Sequence, residues 1–342
     1  MFRNLVIASS GAPFPGSVAD LVDWFPTDEA CLDYLDWLRW GSRFRCPHCD
    51  GTAGWRLPDG RRSCATCGRR ASATAGTILH RARSPLPVWF AVAWALTGGD
   101  GTPSALGLQR ELGLGSYQTA WAMLHKYRLA MSGAGLQELS GTVDVGLAEL
   151  DRTGGTRTTG AGGSTLAVAV ERRRSSLGRC RLRVVERDDA DALRAFLADS
   201  VVRGSDLRSG GATWRSFVAP ARELDLRMRQ TAPVVAAGDA VQEVGALVAG
   251  WLLGPLHGAV RDAHLPAYLD EFAFRFDGSG ATPPGVLFHR LLAQVVSTPP
   301  VRSSDLVRRP APRTIAPSPT ERPRRPHVRR VVASADHPWR RP

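Results

Sequence analysis

Cys46-Pro47-His48-Cys49 and, fourteen residues further on, Cys64-Ala65-Thr66-Cys67 form a C-x2-C…C-x2-C array. Zinc takes four soft ligands in a tetrahedron. Each C-x2-C pair sits on a tight turn that aims two thiolates at one point, with Gly68 as a permissive residue after the second pair. Between the pairs, Gly54 to Leu57 and Arg61 to Ser63 are expected to form a hairpin around Pro58-Asp59-Gly60. This is the pattern of a zinc ribbon, a module with almost no core of its own. The metal then supplies its folding free energy, on the order of 10–16 kcal/mol of apparent binding. Two disulfides would need an oxidising compartment, which nothing in the sequence suggests. Four cysteines make His48 redundant as a ligand, and Cys31 and Cys180 sit among apolar neighbours as core residues.

Around this array the charge is concentrated. The net charge is +12, with nine Arg against two Asp over residues 41–83 and eleven Arg against three acids over 301–342. The rest of the chain is weakly acidic. Lys126 is the only lysine; a codon preference explains arginine over lysine but not the clustering. On the ribbon, Arg43, Arg45, Arg61, Arg62, Arg69 and Arg70, with Trp55 on the hairpin, are read as phosphate contacts, and a polyanion such as nucleic acid is the expected partner. A solvated basic surface is the alternative.

A chain of 342 residues suggests two or three domains, and 43% hydrophobic with 22% charged residues describes a soluble globular protein. The longest apolar stretch, Leu86 to Leu96, is about half of the roughly 20 residues that span a bilayer. Met1 to Gly16 carries one Arg and a short apolar patch, too little for a secretory signal. Membrane and secreted classes are excluded on this reading, and a cytoplasmic, nucleoid-associated location is expected.

Phe25 to Trp40 reads as an amphipathic helix capped by Thr27, with Cys31, Leu35 and Leu38 on its apolar face. Residues 85–131 read as helical. Thr102-Pro103 is expected to open a helix that buries Ala105, Leu108 and Leu112, and Gly113 and Gly115 end it. Ser116 then caps a second helix with Ala120, Leu124, Tyr127 and Met131 inward. Two short helices around a glycine turn fit helix-turn-helix geometry, which leaves Gln118, Thr119, Ala122 and His125 outward for a major groove; an ordinary helical hairpin is the alternative. Residues 141–300 alternate strand-like and helix-like segments, including Thr165–Glu171, Arg179–Val185 and a helix from about Asp189 to Ser200. From 301 the chain holds eight Pro and eleven Arg without apolar periodicity and is expected to be disordered.

The stretches FPTDEACLDYLDWLRW (25–40), FRCPHC (44–49), CATCGRRASATAGTILHRARSPLPVWF (64–90), LQRELGLGSYQTAWAMLHKYRLAM (108–131) and WLLGPLHGAVRDAHLPAYLDEFAFRF (251–276) carry a resemblance. The sequence resembles bacterial insertion-sequence transposases with an N-terminal zinc ribbon and a ribonuclease-H-like, Asp-Asp-Glu-type domain. The resemblance implies a multidomain α+β chain: an N-terminal helical segment (1–40), the ribbon (41–83), a helix-turn-helix-like segment (84–137), a ribonuclease-H-like domain (138–300) and a disordered tail (301–342). It implies structural zinc, DNA as partner at the ends of the element, assembly as a homo-oligomer on that DNA, and a pair of Mg²⁺ ions held by three mostly acidic groups about 3.5–4 Å apart.

Those three positions carry other residues here. The first falls on Gly146, the second on Gly210 and the third on Gln242. The nearest carboxylates are displaced: Asp144 by roughly 6–7 Å along its strand, Asp206 by roughly 13 Å, and Glu243 by a helical step of about 100°. The basic pair expected before Trp251 is Ala249 and Gly250, and residues 221–260 are Arg-poor and weakly acidic. The expectation is a DNA-binding member of the family without catalysis, Mg²⁺ not being bound. The alternatives are a working transposase that uses Asp144, Asp206 and Glu243, and a zinc-ribbon adaptor for protein or RNA.

Overall fold

A computed structural model describes residues 14–41, 43–98, 101–132, 137–150, 164–173, 176–186, 189–210, 213–231, 239–254, 260–278 and 282–307. The expected disordered tail from 308 onward lies outside the described residues.

Two helices open the fold, α1 (Val18–Trp24) and α2 (Asp28–Trp40). Thr27 caps α2 by accepting from the Ala30 N–H, and Asp28 and Glu29 lie at the positive helix end. The ribbon follows as a three-stranded antiparallel sheet, β1 (Gly54–Arg56), β2 (Arg62–Cys64) and β3 (Arg70–Ala71), in that order. Gly60 ends the hairpin turn at φ 78°, a conformation that glycine adopts at little cost. The third strand was not legible in the sequence, being two residues long.

The ribbon is not a separate module with its own small core. Phe44, Cys46, Cys64, Ala71 and Ala73 are buried in one cluster with Cys31, Tyr34 and Leu35 of α2. Asp33 and Asp36, one helical turn apart on α2, hold Arg56 and Arg62, which face each other across β1 and β2. The Arg62–Asp36 pair is bidentate, at 2.8 and 2.5 Å. Arg39 donates to the carbonyls of Ser72, Ala73 and Ala75 and fixes the exit from the ribbon.

Next come α3 (Leu86–Gly98), α4 (Ala105–Glu111) and α5 (Tyr117–Met131). The cap of α4 is Ser104, not Thr102. Thr102 is buried and accepts from Arg128 instead, which starts the helix two residues later than its Thr-Pro signal suggests. Gly113 at φ 62° follows α4, and Ser116 caps α5 as expected.

The second half is built on a five-stranded sheet: β4 (Thr142–Leu150), β5 (Ser164–Arg172), β6 (Leu177–Val185), then α6 (Ala190–Ser200), β7 (Asp206–Ser209), α7 (Trp214–Glu223), β8 (Arg227–Gln230), α8 (Ala240–Leu253) and α9 (Leu265–Phe276). The strand order is β6-β5-β4-β7-β8. The first three strands pair antiparallel, and β7 and β8 join parallel. Alternation sends Ala148, Leu150, Leu166, Val168 and Val170 toward α8 and α9. Val143, Val145, Leu147, Ala167 and Ala169 face α6 and α7. A sheet covered on both faces explains why β5 reads as an unbroken apolar run.

The described residues end in α10 (Pro284–Val295) and α11 (Ser303–Val307). Leu287, Phe288, Leu291 and Leu292 of α10 are buried with the first half of the chain, among Phe25, Tyr34, Phe90 and Trp94. The short helix α11 occupies the start of the segment expected to lack structure. The two halves also meet at α5 and α9, where Arg128 and Glu271 form an ion pair at 2.7 Å with side chains 1% and 0% exposed. No helix among the described residues is long and apolar enough to cross a membrane.

Candidate metal centre and nucleic-acid interface

The turn after Cys46 and the turn after Cys64 bring all four cysteine sulfurs within 4.8 Å of one another. Cys46 Sγ lies 3.8 Å from Cys67 Sγ, and Cys49 Sγ lies 3.6 Å from Cys64 Sγ. A disulfide needs about 2.05 Å. Tetrahedral zinc with Zn–S near 2.3 Å places its sulfurs about 3.8 Å apart. The donor set therefore fits zinc and not a disulfide, and the four cysteines are free. Backbone N–H groups, first that of Cys67 and also that of Thr66, draw the Cys64 thiol down to about 6 against the opposing effect of burial. Cys49 goes the other way: against the backbone N–H of Gly51, the neighbouring thiols and burial push it up to about 12, so one proton is shared unevenly between facing sulfurs until a metal displaces it.

The expected phosphate contacts divide into two sets. Arg43, Arg69 and Arg70 are exposed. Arg45 is exposed beside Asp50 at 3.5 Å, and Arg61 is held by Asp59 with its Nε 2.8 Å from Oδ2. Arg62 is a correction: its guanidinium is committed to the buried Asp36 and lies over the rings of Trp40 and Phe44, so it docks the ribbon on α2. On α5, Gln118 is exposed, while Thr119 is half-buried with its hydroxyl 2.9 Å from that of Ser116. His125 is a second correction. It is 4% exposed and packed among Trp121, His264 and Tyr268, so it faces the second half of the chain and not a groove. Burial, followed by the nearby Arg128, lowers its pKa to about 3 and keeps it neutral.

At the large sheet, Thr213 links Gly146 to Gly210, and Gln242 reaches the strand that carries Gly146. Asp144 is paired in register with Arg208, two residues before Gly146 and Gly210. Thr213 donates its hydroxyl to the Gly210 carbonyl at 3.1 Å, and Gln242 donates its amide to the Leu147 carbonyl at 3.0 Å. A Cβ added to Gly146 would lie 3.1 Å and 3.2 Å from the Val241 methyls and 3.3 Å from Thr213 Oγ1. The position carries no side chain, and Val241 and Thr213 pack against it.

The displaced carboxylates are not brought together. Asp144 is buried and bonded to Arg172 at 2.6 Å, with Arg208 at 3.5 Å on its other side. Asp206 lies one pleat below Arg208, opposite Thr142 and Arg227. Glu243 is exposed in the first turn of α8. Among the described residues, the four cysteines alone form a group of three or more His, Cys, Asp or Glu side chains placed to hold a metal ion. The residues at the sheet centre do not fit a pair of Mg²⁺ ions, which require several oxygen ligands. Restoring one carboxylate is expected to fail: Gly146→Asp forces Val241 aside and should destabilise the chain by about 1–3 kcal/mol, with no gain in Mg²⁺ affinity by calorimetry. A variant as stable as the parent that binds Mg²⁺ would contradict this packing.

Two family models match the chain. The transposase zinc-ribbon domain covers residues 26–70 and the ISXO2-like transposase domain covers residues 144–277, together just over half of the sequence. No curated protein matches. Among solved structures, a chain of the simian T-cell lymphotropic virus intasome in complex with PP2A regulatory subunit B56 gamma aligns over 64% of this chain and 74% of its own, at 13% identity and a TM-score of 0.27, too loose to bear on the fold. The ribbon with its four converging thiols and the five-stranded sheet between helices occupy the two matched segments in order, and the chain belongs to the insertion-sequence transposases with an N-terminal zinc ribbon.

Proposed function

We propose that this transposase relative binds DNA through its zinc ribbon and has lost metal-dependent strand transfer. The observation that carries the reading is the environment of Gly146: no side chain, Val241 and Thr213 closed over it, and the one nearby carboxylate, Asp144, engaged by two arginines. A carboxylate already neutralised by guanidinium groups is a poor ligand for a dication, and the arginines themselves repel one. The exposed Arg43, Arg69 and Arg70 beside the zinc site support phosphate contact. By family, the ligand is the terminal DNA of the element, and the working form is an oligomer on it.

The test is strand cleavage and transfer by the purified, zinc-loaded chain on duplexes carrying the element's ends, with Mg²⁺ or Mn²⁺. Binding without product is expected. Product that disappears in Asp144→Asn would overturn the loss of catalysis, and affinity that is flat against salt would overturn phosphate binding in favour of a protein-contacting adaptor.

A further inference from the structure

Strand order collects arginines that are far apart in sequence. Register places Asp144 of β4, Arg208 of β7 and Arg229 of β8 in one row, with Thr142, Asp206 and Arg227 in the row below. In both rows these side chains lie on the face that carries Gly146, because the alternate residues Leu207 and Met228 pack against the opposite layer. On this face α8 covers β4 and β5, and α9 covers β6. Arg227 and Arg229 are exposed, and Arg208 and Arg172 are each more than a third exposed.

The charges do not cancel. Asp144 pairs with Arg172 at 2.6 Å and with Arg208 at 3.5 Å. Among the described residues, no carboxylate lies within ion-pair distance of Arg227 or Arg229. Asp206, in register with Arg227, offsets part of this charge without an ion pair, and its Oδ1 is buried and without a hydrogen-bond partner. Arg227 and Arg229 repeat along β8 every ~6.6 Å, and neighbouring strands stand about 4.8 Å apart. The arginines thus form a compact grid and not a single line.

We infer that this face is a metal-free phosphate cradle: Arg208, Arg227 and Arg229, with Arg172 steadied by Asp144, bind the phosphodiester backbone of DNA directly, where the family fold would otherwise place carboxylates and dications. Guanidinium groups suit the task because they donate in pairs to phosphate oxygens and stay charged at any physiological pH. Asp144 offsets part of the charge of Arg172 and Arg208 and is not itself a phosphate ligand. The inference rests on the DNA-binding reading above and adds a second contact surface, remote in sequence from the ribbon.

Fluorescence anisotropy of a labelled duplex against salt, on the full zinc-loaded chain without added divalent ions, tests it. Each phosphate contact contributes about 0.9 to the slope of log K against log salt. R227Q/R229Q, both at exposed positions, should therefore flatten the slope by about 2 with an unchanged melting curve, and R43Q/R69Q on the ribbon should flatten it independently. If only the ribbon pair changes the slope, DNA binding stands and the cradle falls. If the parent slope is already flat, both readings fall. Asp144→Asn supplies a second arm. It should bind DNA as tightly as the parent or tighter, because it removes a negative charge from the cradle. Affinity that rises with Mg²⁺ at constant ionic strength, and loses that rise in Asp144→Asn, would show a metal-bridged site and overturn the inference.

Discussion

Stripping the zinc should abolish the ribbon's fold and with it most of the DNA affinity. Three strands of three, three and two residues cannot hold themselves together. The metal contributes on the order of 10–16 kcal/mol of apparent binding in such modules. The effect should reach further than in a free-standing ribbon, because Cys46 and Cys64 are buried in the same cluster as Tyr34, Leu35 and Phe90. Hydrogen exchange after chelation, or in Cys64→Ser, should show protection lost across residues 43–72 and weakened in α2. Native mass spectrometry should show one zinc ion leaving per chain. Unchanged protection of β1 to β3 in the zinc-free chain would mean that packing on α2, through Asp33, Asp36 and Arg39, suffices without metal.

Arg128→Met should be nearly as damaging, at about 3–5 kcal/mol, because it leaves the Glu271 carboxylate buried without its counter-charge. Arg128 makes a dense set of contacts. It bonds Glu271 and Thr102 and lies 3.9 Å over the Tyr268 ring. Replacing both partners, R128M/E271L, should recover most of the loss, since removing a buried pair together avoids the orphaned charge. Denaturant midpoints of the two single variants and the double variant decide the matter: a double variant as unstable as the sum of the singles would mean that the two charges are not coupled and that each acts through its other contacts. The neutral His125 beside it adds an acid sensitivity. Its folded pKa lies below its unfolded one, so the unfolded chain binds the extra proton, and stability should fall as pH drops below about 6.5.

What could be read in the sequence was whatever local chemistry decides. Four cysteines at fixed spacing, the Thr27 and Ser116 caps and the hairpin around Gly60 all stand where the residues suggest. The failures share one physical cause. His125 was placed outward by assuming that α5 has a single buried side, but the helix is packed by α4, α9 and α10, so polar positions on it are interior. Arg62 looked like one more surface cation until α2 supplied Asp36. The arginine grid was hidden because residues 172, 208 and 227–229 come together only through the order of strands, and 221–260 looked Arg-poor when counted along the chain. At the sheet centre, the packing of Val241 and Thr213 against Gly146 was not legible, since it depends on contacts between segments about 70 and 95 residues away.

The helix that completes the first core is synthesised only after the whole central sheet. Phe25, Phe90 and Trp94 wait for Phe288 and Leu291, some two hundred to two hundred and sixty positions downstream. On the ribosome, the opening third of the polypeptide therefore emerges with an apolar groove that stays open while the whole central sheet is translated. Closing so distant a contact is slow, and the exposed groove invites aggregation or chaperone capture meanwhile. A frameshift or premature stop just before residue 284 would thus release a product whose defect lies at its beginning.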